Sequence, residues 1–148
     1  MTTQKRSTIN GESASVQTHL SIIQNIIQRM ADNSSASKTW CVTLVSAVLV
    51  IVADKGKPEY VWIAMLPTVV FAALDAYYLA LEKSFRIAYS EFVDKLHNNT
   101  LTAPDLYSVM PKGNISKLQF EAMKSFSVWG FYISIAVLIV IAKSIAIG

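Results

Sequence analysis

The sequence predicts an all-α integral membrane bundle with three transmembrane helices, and three observations carry that prediction. Apolar stretches at residues 39–53, 60–81 and 126–147 dominate the chain. Hydrophobic residues make up 53% of it and charged residues 16%. The mean hydropathy of +0.40 is high for a soluble chain of this size. No internal repeat and no strand-period run competes with this reading. A hydrocarbon core about 30 Å thick is crossed by roughly 20 helical residues. Inside it each segment must satisfy its own backbone polar groups. The third stretch does so with Lys143 as its only charge, and the second carries one acid, Asp75. The first is shorter and reaches across with help from Ser37, Lys38 and Thr39.

Taken in order, residues 1–13 are polar and expected to be disordered, and residues 14–148 form a single membrane helical domain. No apolar run follows Lys5 and Arg6, so a cleavable signal peptide is not expected and the first span serves as the insertion signal. Residues 14–32 read as an amphipathic helix. Val16, Leu20, Ile23, Ile27 and Met30 recur at three- and four-residue steps, and Ile22 and Ile26 widen the stripe. The opposite face carries Gln17, Gln24, Asn25 and Gln28. An amide-rich rather than lysine-rich face favours packing on protein over lying in the membrane interface. Residues 33–37, Asn-Ser-Ser-Ala-Ser, are expected to turn the chain and cap a first span over 38–54.

After a tight hairpin at 54–59, Pro58 suits the first turn of a helix. That helix holds the second span, 60–81, and continues to about His97, with Pro67 inside it as an expected kink. Phe85, Ala88 or Tyr89, Phe92 and Leu96 extend its apolar stripe beyond the bilayer, and Asn98-Asn99 is the expected stop. Residues 101–114 hold Pro104, Pro111 and Gly113 and read as a loop. A last helix starts at Ser116-x-x-Gln119, a capping-box pattern, and is expected to run unbroken through Leu118, Ala122 and Phe126 into the third span, 126–147. Residues 82–125 thus form a helical hairpin outside the membrane, joined by the N-terminal helix.

Lysine and arginine set the orientation. Lys5, Arg6, Arg29 and Lys38 precede the first span, and Lys83, Arg86, Lys95, Lys112, Lys117 and Lys124 lie between the second and third. Lys55, Lys57 and Lys143 fall on the other side. The N-terminus and central connection are therefore expected in the cytoplasm of a bacterial inner membrane, with the C-terminus outside.

Catalysis is poorly supported, and no enzyme activity, metal or cofactor is expected. His19 and His97 are far apart, and there is no H-E-x-x-H, phosphate-binding glycine loop or G-x-S-x-G. Cys41 reads as a small packing residue inside the first span. The net charge of +3 is scattered, so nucleic acid is not an expected partner.

Asp75 is the most informative polar residue, because an acid inside a span is costly and defaults to a functional role. It could take a structural partner (Lys38, Arg86, Thr39 or a tyrosine), or it could line a pore or switch. Glu82, Lys83 and Arg86 form a charged collar. Arg29 either pairs with Glu82 or complements the C-terminal dipole of the amphipathic helix. Tyr77 and Tyr78 suit an interfacial belt. Lys143 can snorkel to the outer surface, away from Asp75. Pro67 is a candidate gating position. Gly130 with Ser134, Ser46 with Ala47, and Ala72-Ala73-Ala76 are candidate close-packing positions.

The run His19-Leu20-x-x-Ile23-Gln24-x-Ile26-Ile27-x-Arg29-Met30-Ala31-x-Asn33-Ser34, followed by Lys38-x-Trp40, Leu74-Asp75-Ala76-Tyr77-Tyr78-Leu79, Glu82 and Phe85-Arg86, resembles a group of small multi-span bacterial membrane proteins associated with anti-phage defence loci. It covers about residues 19–90. The resemblance implies an oligomeric membrane effector or accessory, triggered by infection to perturb the inner membrane, and it attaches no activity to these residues. Three spans in one chain cannot enclose an aqueous path, so a pore requires a homo-oligomer. The rival reading is a non-conducting anchor whose cytoplasmic helices recruit a soluble protein partner. A small-molecule signal at the same face fits either. A transporter fits least, with too few spans and no pair of broken helices.

Overall fold

The computed structural model describes residues 11–147, and every regular element in that range is helical. Residues 1–10, which hold most of the expected disordered segment, lie outside the described residues. The elements are α1 (Ala14–Lys55), a 3-10 segment (Pro58–Ala64), α2 (Met65–His97), a 3-10 turn (Ala103–Asp105), α3 (Ile115–Met123) and α4 (Phe126–Ile147). α1 and α2 pack along one another, α3 lies on α2, and α4 packs on α2, the 3-10 segment and α1. Three of the helices are long and apolar enough to cross a membrane.

The turn expected at residues 33–37 is absent, because α1 runs through it as one helix of 42 residues. A Ser/Asn cluster without glycine or proline only weakly disfavours helix, and tertiary burial overrides such a preference. Ser37 Oγ donates back to the Asn33 carbonyl at 2.9 Å, Thr39 Oγ1 to Ser35 at 3.3 Å, and Thr43 Oγ1 to Thr39 at 2.9 Å. These hydroxyls are satisfied one turn back within the helix rather than diverting the backbone into a turn. At 1.5 Å per residue α1 is about 63 Å long, twice the thickness of a bilayer core. It ends where Gly56 takes the left-handed conformation (φ 60°), and the Gly56 and Lys57 amides return to the Ala53 and Val52 carbonyls.

Pro67, where a kink is expected, sits just past the point at which a 3-10 segment passes into α2. The 3-10 segment with Pro58 at its start precedes α2, so Pro67 is the third residue of the α-helix rather than an interior one. A first-turn residue needs no amide partner within the helix, and proline is tolerated there.

The unbroken helix expected from Ser116 into the third span is broken at Lys124-Ser125. Ser125 leaves the α3 pattern, and its carbonyl accepts from the Val128 and Trp129 amides, starting α4. The cap of α3 is Asn114, whose side chain accepts from the Lys117 amide at 3.1 Å, and not the Ser116/Gln119 pair. An asparagine side chain reaches the third amide of a helix without a partner at the far end of a box.

Two apolar clusters hold the bundle. One joins Cys41, Val45 and Val52 of α1 to Ala76 of α2 and to Val128, Tyr132, Ile135 and Ile139 of α4, with Val61 and Ala64 from the 3-10 segment. The other lies at the far end, where Val16, Phe92 and Leu101 meet with Leu20, Leu96 and Leu106 around them. Outside the first cluster the surface is apolar too: Val50, Leu66 and Ile145 are each about two-thirds or more exposed. A continuous apolar surface of this kind is costly in water and natural in lipid. At the hairpin end, Lys143 Nζ lies 4.8 Å from the Trp62 ring centroid, a cation–π contact far along the chain from Asp75.

Candidate functional site

The continuity of α1 builds the site. Spacings of three and four residues place Met30, Ser34, Ser37, Cys41 and Val45 on one buried face. Lys38 sits one turn beyond Ser34 at the edge of that face. From α2, Asp75 enters the same layer with no solvent exposure. Ser34 Oγ donates to Asp75 Oδ1 at 2.5 Å, and Lys38 Nζ stands 2.6 Å from Asp75 Oδ2. This second contact is an ion pair whose direction falls outside hydrogen-bond geometry, since Oδ2 has no directed donor. Lys38 Nζ also reaches Ser34 Oγ at 3.4 Å, closing a triangle. Tyr132 of α4 lies close to the same carboxylate and donates its hydroxyl to the Phe71 carbonyl at 3.0 Å. Three helices therefore converge on one acid at the end of the apolar stretch of α1.

A buried carboxylate is tolerable only when paired and hydrogen-bonded. The triangle ties Ser34 and Lys38 of α1 to one point on α2 while it satisfies the charge. Because Asp75 shows no face to solvent, it lines no aqueous path within a single chain.

Of the other candidates, Arg86 pairs within α2, Nε to Glu82 Oε1 at 2.8 Å. Arg29 is exposed and makes no ion pair among the described residues, so the expected Arg29–Glu82 contact is replaced by the local one. The dipole role expected for Arg29 fails too, because α1 continues for many turns beyond it. Tyr77 faces outward and Tyr78 is half-buried, their ring centroids 5.7 Å apart. The space over Gly130 is filled by the ring of Phe126 from its own helix, about 3.1 to 3.3 Å from where a Cβ would stand. The close approach there is thus within α4.

Sequence reasoning gave His19 no role. Its ring is 1% exposed, its centroid is 4.2 Å from that of Phe92, and its Nδ1 accepts the Tyr107 backbone amide at 2.9 Å. That bond assigns the imidazole proton to Nε2. Burial holds the His19 pKa below the usual histidine value, with Asp105 pulling weakly the other way. His19 also lines a cavity of about 150 Å³ with Glu91, Lys95, Asp105, Met110 and Lys112. Lys95, 2.6 Å away, and the side chain and amide of Thr102 hold the Asp105 carboxyl down at about 2. Ser84, fully buried on α2, donates to the Lys112 carbonyl at 2.6 Å and ties the loop back to the helix. Among the described residues no group of three or more His, Cys, Asp or Glu side chains is placed to hold a metal ion.

Comparison of the chain with protein-family models, with curated proteins and with solved structures gives no match.

Proposed function

We propose that the chain is an oligomeric inner-membrane effector or accessory of a bacterial anti-phage defence system, acting by membrane perturbation or pore formation. The observation that carries the assembly is the outward face of α1. Thr39, Thr43, Ser46 and Ala47 follow one another at helical spacing on that face, all exposed. The Thr39 and Thr43 hydroxyls are already satisfied by carbonyls one turn back. Small and hydroxyl residues let membrane helices approach closely and are enriched where such helices pack. The defence role rests on the resemblance over residues 19–90.

In this reading the basic end of the bundle, with Arg29, Lys38, Arg86 and Lys95, faces the cytoplasm, and Lys55, Lys57 and Lys143 face outward. The halves of α1 and α2 beyond the apolar stretches, together with α3, form a cytoplasmic platform. A second reading, a non-conducting anchor, is favoured by the charged cavity beside His19, which offers a soluble protein or a small-molecule signal a place on that platform.

Reconstitution into nanodiscs for sizing and into dye-loaded vesicles for leakage separates the two. The effector reading expects several copies per disc and leakage that rises with protein density. A single copy that never leaks contradicts it and leaves the anchor.

A further inference from the structure

We propose that α3 is a lipid anchor: Phe120 and Met123 enter the headgroup–acyl boundary while Lys117 and Lys124 hold the phosphates of anionic lipids. α3 packs on α2 through its other face, where Ala122 is fully buried and Ile115 and Leu118 are half-buried. That leaves Phe120 61% and Met123 48% exposed on a helix of only nine residues. Among the described residues nothing covers this apolar face.

Three observations select a bilayer as its occupant. The face is continuous with the lipid-facing side of α4, since only Lys124 and Ser125 separate Met123 from Phe126, itself 75% exposed, with Trp129 edge-on to it at 5.3 Å. Depth agrees for Met123, about 5 Å from the start of α4 at a rise of about 1.5 Å per residue, and Phe120, at about 9 Å, stands at the outer edge of the headgroup layer. The polar layer outside a hydrocarbon core is roughly 5–8 Å deep. Charge agrees as well. Lys117, Phe120 and Lys124 share one line of the helix, and Lys124 Nζ lies 4.3 Å from the Phe120 ring centroid, an ammonium at the edge of an apolar body. Two lysines against the single acid Glu121 leave this face net positive, the pattern that draws anionic headgroups.

The inference rests on the membrane reading, and the test separates the two. A spin label at Phe120→Cys, in a Cys41→Ala background of the full chain, is compared with one at Ile133→Cys on the exposed side of α4. Both are placed in nanodiscs of phosphatidylcholine alone, or of phosphatidylcholine and phosphatidylglycerol in equal parts. Accessibility to oxygen and to a water-soluble nickel complex reports depth. The expected result is a lipid signature at Ile133 and an interfacial one at Phe120, deeper with phosphatidylglycerol. The added depth is lost in Lys117→Gln/Lys124→Gln. A lipid signature at Ile133 with a fully aqueous one at Phe120 overturns the anchor alone. A Phe120 label shielded from both reagents overturns it in favour of a protein contact, such as a second copy. An aqueous Ile133 overturns the membrane reading itself.

Discussion

Lys38 and Asp75 form an ion pair that ties α1 to α2, Nζ to Oδ2 at 2.6 Å, with unequal burial of 21% and 0% exposure. The inequality predicts unequal mutants. Lys38→Met strands a charge with no route to solvent and should cost about 3–5 kcal/mol, the usual penalty for breaking a buried pair on one side. Asp75→Asn leaves Lys38 free to reach water and keeps an acceptor for Ser34, so about 1–2 kcal/mol is expected. Lys38→Met/Asp75→Leu should be more stable than Lys38→Met alone. Denaturant unfolding in detergent micelles measures all three, and equal losses in the two single variants would refute the asymmetry.

The His19–Tyr107 bond predicts an acid-sensitive loop. A histidine whose folded pKa lies below its unfolded value of 6.5 binds its proton more readily when unfolded. Its contribution is therefore complete above about pH 6.5 and is lost as pH falls from there through the lowered folded value. Protonation also removes the acceptor for the Tyr107 amide. Amide exchange at Tyr107 should accelerate on acidification from pH 7.5 to 5.5 beyond the intrinsic trend (both about the histidine range). His19→Asn, which keeps an acceptor without the titration, should abolish the excess.

Asp105 titrates in a separate window. Its carboxyl is held at about 2 against an ordinary 3.8, so its contribution is present above 3.8 and disappears as pH falls through 2. Asp105→Asn should therefore flatten acid unfolding below about pH 4 and, by removing the charge that raises the His19 pKa, move the His19 step to lower pH, the two read together in one pH titration of near-ultraviolet circular dichroism.

Tyr132→Phe removes one hydrogen bond between membrane helices. Such bonds average about 0.6 kcal/mol, so the loss should be small, and a loss several times larger would mean that the hydroxyl also carries part of the Asp75 charge.

Pro67 stands in the first turn of α2, where a missing amide costs least. Pro67→Ala should leave thermal stability within about 0.5 kcal/mol of the parent and leave vesicle leakage unchanged. A strong change in leakage would restore Pro67 to a gating role.

The long apolar helices were legible because their signal is compositional and sums over many residues. The ends of α1 and α2 were nearly so, since Gly56 and Asn98-Asn99 are strong stops. What misled was local chemistry read without its neighbours. Ser34 and Ser37 look like a turn in isolation, yet Val16, His19, Ile23, Met30, Ser34, Ser37, Cys41, Val45 and Val52 form one buried stripe at steps of three, four and seven residues. Reading that spacing straight through the serines would have kept the helix whole and put Ser34 and Lys38 together opposite Asp75. The break at Lys124-Ser125 had no such signal, because nothing in Phe120 to Phe126 opposes helix. His19 was invisible for another reason: its partner, the Tyr107 amide, belongs to an irregular loop with φ 63° at that residue, a conformation no periodicity encodes.

The claim that the chain works as an assembly is tested most directly by disulfide cross-linking in native membranes at the outward face of α1. With Cys41→Ala removing the buried thiol, Thr43→Cys should give a ladder of cross-linked species on mild oxidation, while Val45→Cys, on the buried face, should give none. A Thr43→Cys chain that stays monomeric under conditions that oxidise its free thiol would contradict assembly through this helix.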